Sequence, residues 1–139
     1  MLEQFGLQFH HLGLAVKEPS LALKFLGGLG YRQGRRVLDP LQNVNLIICH
    51  HDAMPDVEII YPDPAGKGPI DGLLSKRPEG IVYHLCYTSS NVDSSLKRIK
   101  NAGLRPFEVV PPKPAVLFDG KPVSFYMIAG VGLIEIIAE

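Results

Sequence analysis

The stretch Phe9-His10-His11-Leu12-Gly13-Leu14-Ala15-Val16 decides the fold, because it returns 73 residues later as Val82-Tyr83-His84-Leu85-Cys86-Tyr87-Thr88-Ser89 with His-Leu in the same place. The same offset lays Leu23-Lys24 on Leu96-Lys97, Gly30 on Gly103 and Arg32 on Arg105 without a gap. Unlike features that coincide at one fixed spacing mark an internal repeat. Each half opens with a predicted strand (residues 9–16 and 81–88), runs into an amphipathic helix (about 20–26 and about 93–101), and reaches a glycine soon after. Three further strands follow in each half, near 31–37, 44–49 and 56–61 and near 105–110, 123–128 and 132–138. The order β-α-β-β-β occurs twice, which makes the fold α+β: a first module over 1–62, a linker over 63–80 and a second module over 81–139.

Proline and glycine crowd the linker, where a short helix is expected over 70–76. A second proline-rich stretch, Pro111-Pro112-Lys113-Pro114, reads as an extended loop, either a plain connector or a cover for a site, because proline cannot donate to a regular strand ladder. The 139 residues, 46% of them hydrophobic and 20% charged, suffice to bury the core of one domain. A formal net charge of zero gives no basic footprint for nucleic acid or an anionic membrane surface. No apolar stretch approaches the roughly 20 residues that span a bilayer, and the N-terminus lacks the pattern of a secretory signal. The expectation is a cytoplasmic protein acting on a small molecule. Cys49 and Cys86 lie in apolar strand-like runs without CxxC spacing and read as buried, reduced thiols.

Strand alternation sets Phe9, His11, Gly13 and Ala15 on one face and His10, Leu12, Leu14 and Val16 on the other. In the second half His84 shares its face with Cys86 and Thr88. The last strands, Val57-Glu58-Ile59-Ile60 and Ile134-Glu135-Ile136-Ile137, each place one glutamate among apolar residues. An ionised carboxylate inside an apolar sheet requires a cation, a donor network or an open cavity. One shared divalent metal answers both, with His11, Glu58, His84 and Glu135 as ligands; two imidazoles and two carboxylates suit Zn, Ni, Co, Fe or Mn. Glu58 and Glu135 lie 77 residues apart rather than 73, so the second half carries a small insertion, expected in its proline-rich segment. His10 reads as a core or supporting group, His50-His51-Asp52 as a solvated turn, and Arg35 and Arg36 as charges without an assigned role.

These residues resemble the vicinal oxygen chelate, or glyoxalase-like, superfamily, and within it proteins similar to methylmalonyl-CoA epimerase. The resemblance rests on His11-Leu12-Gly13-Leu14-Ala15-Val16, on Val57-Glu58-Ile59-Ile60-Tyr61-Pro62, and on the linker Gly68-Pro69-Ile70 with Leu73-Leu74, Lys76 and Gly80. It continues through Tyr83-His84-Leu85, Gly120-Lys121-Pro122-Val123-Ser124-Phe125 and Gly132-Leu133-Ile134-Glu135. Met127-Ile128-Ala129-Gly130 stands where such proteins usually carry His-Pro-Lys or Asp-Pro-Asp-Gly. The resemblance implies two tandem modules in a cupped, incompletely closed mixed sheet, with the four ligands holding one metal. It implies an epimerase, isomerase or lyase that abstracts a proton next to a carbonyl, with Glu58 and Glu135 catalytic, an acyl thioester or 2-oxo substrate and a homodimer. Other members suggest a lactoylglutathione lyase-like enzyme, a metal-free module that sequesters an antibiotic, or an extradiol-type dioxygenase.

Overall fold

The computed structural model describes residues 4–65, 67–68 and 70–139. Along these the order is β1 (Leu7–Ala15), α1 (Ser20–Gly28), β2 (Arg32–Asp39), β3 (Val44–His50), β4 (Asp56–Pro62), α2 (Asp71–Lys76) and β5 (Ile81–Ser89). Then come α3 (Val92–Asn101), β6 (Pro106–Pro114), a 3-10 turn (Val116–Phe118), β7 (Pro122–Ile128) and β8 (Gly132–Ala138). The predicted β-α-β-β-β order occurs twice. No helix among the described residues is long and apolar enough to cross a membrane.

By backbone contacts the chain forms two compact units, His11–Tyr83 and the residues flanking it on both sides. The division falls inside β1, between His10 and His11, and inside β5, between Tyr83 and His84. In the unit His11–Tyr83 the strands run β2-β3-β4-β1: β2 with β3 and β3 with β4 antiparallel, β4 with β1 parallel. A parallel neighbour requires a crossover, which α1 and the β2-β3 hairpin supply. Helix α1 covers one face, where Leu26 packs with Ile47, Cys49, Val57 and Ile59. Strand β3 is buried along its length apart from His50, so it reads as an unbroken apolar run instead of an alternation.

The second unit repeats this plan as β6-β7-β8-β5, with β8 and β5 parallel. Helix α3 is capped by Asn91, whose side chain accepts from the Ser94 amide at 3.0 Å, with Asp93 in its first turn and Arg98 and Lys100 in its last. Its Ile99 packs with Tyr126, Ile128, Ile134 and Ile136, joined by Phe5 and Leu7 from the N-terminal segment. On the opposite face Cys86, Ala115, Val123 and Ile137 cluster with Phe118. Each four-strand ladder is mixed and open, ending in an edge strand, β2 or β6.

Two expectations need correction or refinement. The proline-rich stretch is not a loop, because β6 runs through it to Pro114 and pairs with β7 across two register shifts, after Glu108 and after Val110. An edge strand tolerates proline, since only one of its sides needs donors and a shifted register leaves further residues unpaired. The short linker helix begins at Asp71, with Ile70 as its buried N-cap; Gly66 and Pro69 of the linker lie outside the described residues. The extra residues of the second half fall before β7, since the offset has grown to 77 by Ile48 and Phe125, the residues facing the two glutamates. By register the offset is already 75 at Arg32 and Phe107 and 76 at Leu38 and Pro114, so most of the extra residues lie at the start of β6 and in its register shifts and not in the 3-10 turn.

Candidate functional site

Each unit builds one histidine and glutamate pair, and both are built alike. In the first, β1 and β4 run parallel with Gly13 beside Glu58, so His11 lies two residues before the position next to the carboxylate. Its Nε2 stands 3.6 Å from Glu58 Oε1. In the second, β5 and β8 run parallel with Cys86 beside Glu135, and His84, again two residues earlier, brings Nε2 to 3.1 Å from Glu135 Oε1. The four residues are 0%, 3%, 3% and 5% exposed for His11, Glu58, His84 and Glu135. The strands thus bury all four sequence-predicted residues, the two histidines on the faces that alternation assigned.

The surroundings of both carboxylates are apolar. Ile48 faces Glu58 across the β3-β4 ladder and Phe125 faces Glu135 across β7-β8, both buried. Phe125 also meets the His84 ring edge to face at 5.5 Å. In such surroundings the nearby imidazole weighs heavily, because unpaired ionic charge in a low-dielectric interior is strongly unfavourable. A neutral ring that directs Nε2 at an ionised carboxylate carries its proton on that nitrogen and donates it; only with the proton moved to Nδ1 would the Nε2 lone pair be available to a cation.

The remaining histidines differ from one another. His10 is half-buried and meets Phe118 edge to face at 5.3 Å, a packing role. His50 Nδ1 lies 2.9 Å from Asp56 Oδ2 on the surface. His51 is not simply solvated, as the sequence suggested. Its Nδ1 accepts from the amides of Ala53 and Met54 at 2.9 and 3.2 Å, which puts the proton on Nε2 for donation to the Leu29 carbonyl at 3.1 Å. Beside it Tyr31 donates to the Pro55 carbonyl at 2.7 Å, and Arg32 pairs with Asp52 at 3.0 Å. Burial, and then the Asp56 carboxylate, push the Tyr31 phenol above its usual range. The signal for this turn was a histidine just ahead of a proline, with the free amides of Ala53 and Met54 between them, which apolar periodicity does not register. Burial likewise pushes the Cys49 thiol up, and neither cysteine is in a disulfide, as expected. Arg36 donates to Asn45 Oδ1 at 3.2 Å while Arg35 is exposed, so neither marks a site.

Residues 10–125 match the family model described as the Glyoxalase/Bleomycin resistance protein/Dioxygenase superfamily. The ethylmalonyl-CoA/methylmalonyl-CoA epimerase of Cereibacter sphaeroides is 31% identical over 120 residues, covering 85% of this chain and 86% of that protein. Among solved structures, methylmalonyl-CoA epimerase from Mycobacterium tuberculosis superposes with a TM-score of 0.77 at 20% identity, over 99% of this chain and 92% of that one. A Streptomyces coelicolor methylmalonyl-CoA epimerase variant in complex with 2-nitronate-propionyl-CoA gives a TM-score of 0.72 at 18% identity, over 95% and 94% of the two chains. At these identities the two structures speak for the fold.

Proposed function

Since the chain belongs to the glyoxalase, bleomycin resistance protein and dioxygenase superfamily, we propose that it is a divalent-metal-dependent epimerase of acyl-CoA thioesters of the methylmalonyl type. The observation that carries this reading is the pair of buried His-Glu couples set at one register in two modules. Two imidazoles and two carboxylates are donors of a kind that could hold a metal ion, so the residues fit the group that the family implies. In this reading His11, Glu58, His84 and Glu135 hold one ion of Zn, Ni, Co, Mn or Fe. Bound there, it would supply Lewis-acid stabilisation of the negative charge that grows on the thioester oxygen when the adjacent carbon loses its proton.

The chain's own residues would supply the proton traffic and the environment. One or each of Glu58 and Glu135 would leave the ion to serve as base or acid on opposite faces of the substrate carbon, one taking the proton and the other returning one, which inverts the centre. Ile48 and Phe125 keep water away from the carboxylates, and the Phe125 ring, set at right angles to that of His84, helps fix it. One domain over residues 1–139, associated as a homodimer, completes the proposal.

The test is metal analysis together with deuterium exchange at the carbon next to the carbonyl of methylmalonyl-CoA in heavy water, for wild type, Glu58→Ala and Glu135→Ala. Close to one metal per chain and rapid exchange are expected for wild type, with both lost in the variants and exchange down by about 100-fold or more. Wild-type protein that exchanges no proton when loaded with each of the five metals would remove this reading. Sedimentation equilibrium reports the association state.

A further inference from the structure

The two modules can be compared position by position, 73 residues apart before the insertion and 77 after it. Their backbones agree on the match. Tyr31 donates its amide to the Leu26 carbonyl at 3.0 Å and Leu104 donates to Ile99 at 3.3 Å, each directly after a glycine of positive φ, Gly30 at +95° and Gly103 at +87°. The side chains that follow do not agree. In the first module the rings of Tyr31 and His51 pack together, 5.1 Å between centroids, and the phenol is tied to the Pro55 carbonyl. The matched positions in the second module are Leu104, Ile128 and Gly132, which offer no ring at all. There the structure holds a groove of about 250 Å³, open to solvent on one side, between α3 and the sheet; it is lined by Leu104, Ile128, Ile99 and Ile134 and flanked by the rings of Phe5 and Tyr87, which leave this volume unfilled.

We propose that this groove is a binding site for a small uncharged aromatic molecule, a single ring system of phenol to indole size. The occupant follows from what fills the matched place in the first module, two aromatic rings and one hydroxyl hydrogen bond. No charged side chain belongs to the lining; its polar groups are the amide of Gln4 and the phenol of Tyr87, enough for one or two hydrogen bonds. A volume of about 150 Å³ already takes up benzene, so this groove has room for a larger ring, which its open side lets enter from solvent. Alternation along β8 turns Ile134 away from the face of Glu135, which separates the groove from the His84-Glu135 pair and makes the proposal independent of the epimerase reading.

The experiment titrates the 139-residue chain with indole, phenol and benzoate and follows backbone amide shifts by NMR, with and without added divalent metal. Saturable shifts centred on Leu104, Ile128 and Ile134 are expected with indole and phenol and not with benzoate. Leu104→Phe and, separately, Ile128→Phe fill the space from within, and each is expected to abolish the shifts while leaving metal content unchanged. Absence of saturable binding to wild type, equal binding of benzoate, or binding that survives in a folded filled variant overturns the proposal.

Discussion

Glu58 and Glu135 each sit in a strand whose neighbours are valine, isoleucine and leucine, and an isolated domain would be better served there by an apolar side chain. That local conflict made them legible from sequence, and the structure adds the imidazole directed at each. A different carboxylate reports on helix α1. Hydrogen bonds from the Ser20 side chain and then its amide hold exposed Glu18 below its usual carboxylate range. A folded-state pKa below the unfolded one gives stability that is present above the unfolded value and is lost as pH falls through the folded one. The first turn of α1 should therefore fray ahead of the rest of the molecule as pH falls below the usual carboxylate range. Amide exchange at Leu21 to Leu23 reads this, and Glu18→Gln should lose the pH dependence.

At the level of elements, the matched glycines that end α1 and α3 give a paired comparison. Both adopt positive φ, so alanine at either is strained by about 1–2 kcal/mol. At Gly103 a new Cβ meets nothing within 4 Å, whereas at Gly30 it stands 3.3 Å from His51 Nε2, against the ring that ties the β3-β4 turn to the end of α1. Gly30→Ala should lower the melting temperature more than Gly103→Ala, and equal losses would count against a tight latch at His51. These elements also show what could be read in advance. Eight strands and two helices announced themselves because burial forces a period of two on a half-covered strand and an apolar stripe on a covered helix. The prolines hid only the end of β6 beyond Val110, since tolerance for proline depends on being at an edge, which is a property of the assembled ladder and not of the segment. The latch at His51 escaped for a similar reason, since its partners at Leu29 and Tyr31 lie about twenty residues away in the chain.

For the whole molecule, a metal bound to the folded chain alone would raise its stability by mass action. With free metal about 100-fold above its dissociation constant the gain is about 2.7 kcal/mol. A chelator should accordingly lower the melting temperature by several degrees in wild type and leave the melt of Glu135→Ala unmoved. A further consequence lies in where the two units divide. Leu7 to His10 open β1, the first strand of the first module, yet they belong to the unit of the second, where Leu7 packs on the α3 core and Phe9 meets Tyr87 edge to face at 5.7 Å. Cutting the backbone between α2 and β5 would therefore not release two self-sufficient pieces, because the first fragment keeps a half-strand that the second needs. The nicked chain should remain a single particle on gel filtration and come apart only in denaturant, and the C-terminal fragment made alone should recover its fold when the peptide spanning residues 4–10 is added in trans, which makes this protein a natural starting point for a split reporter.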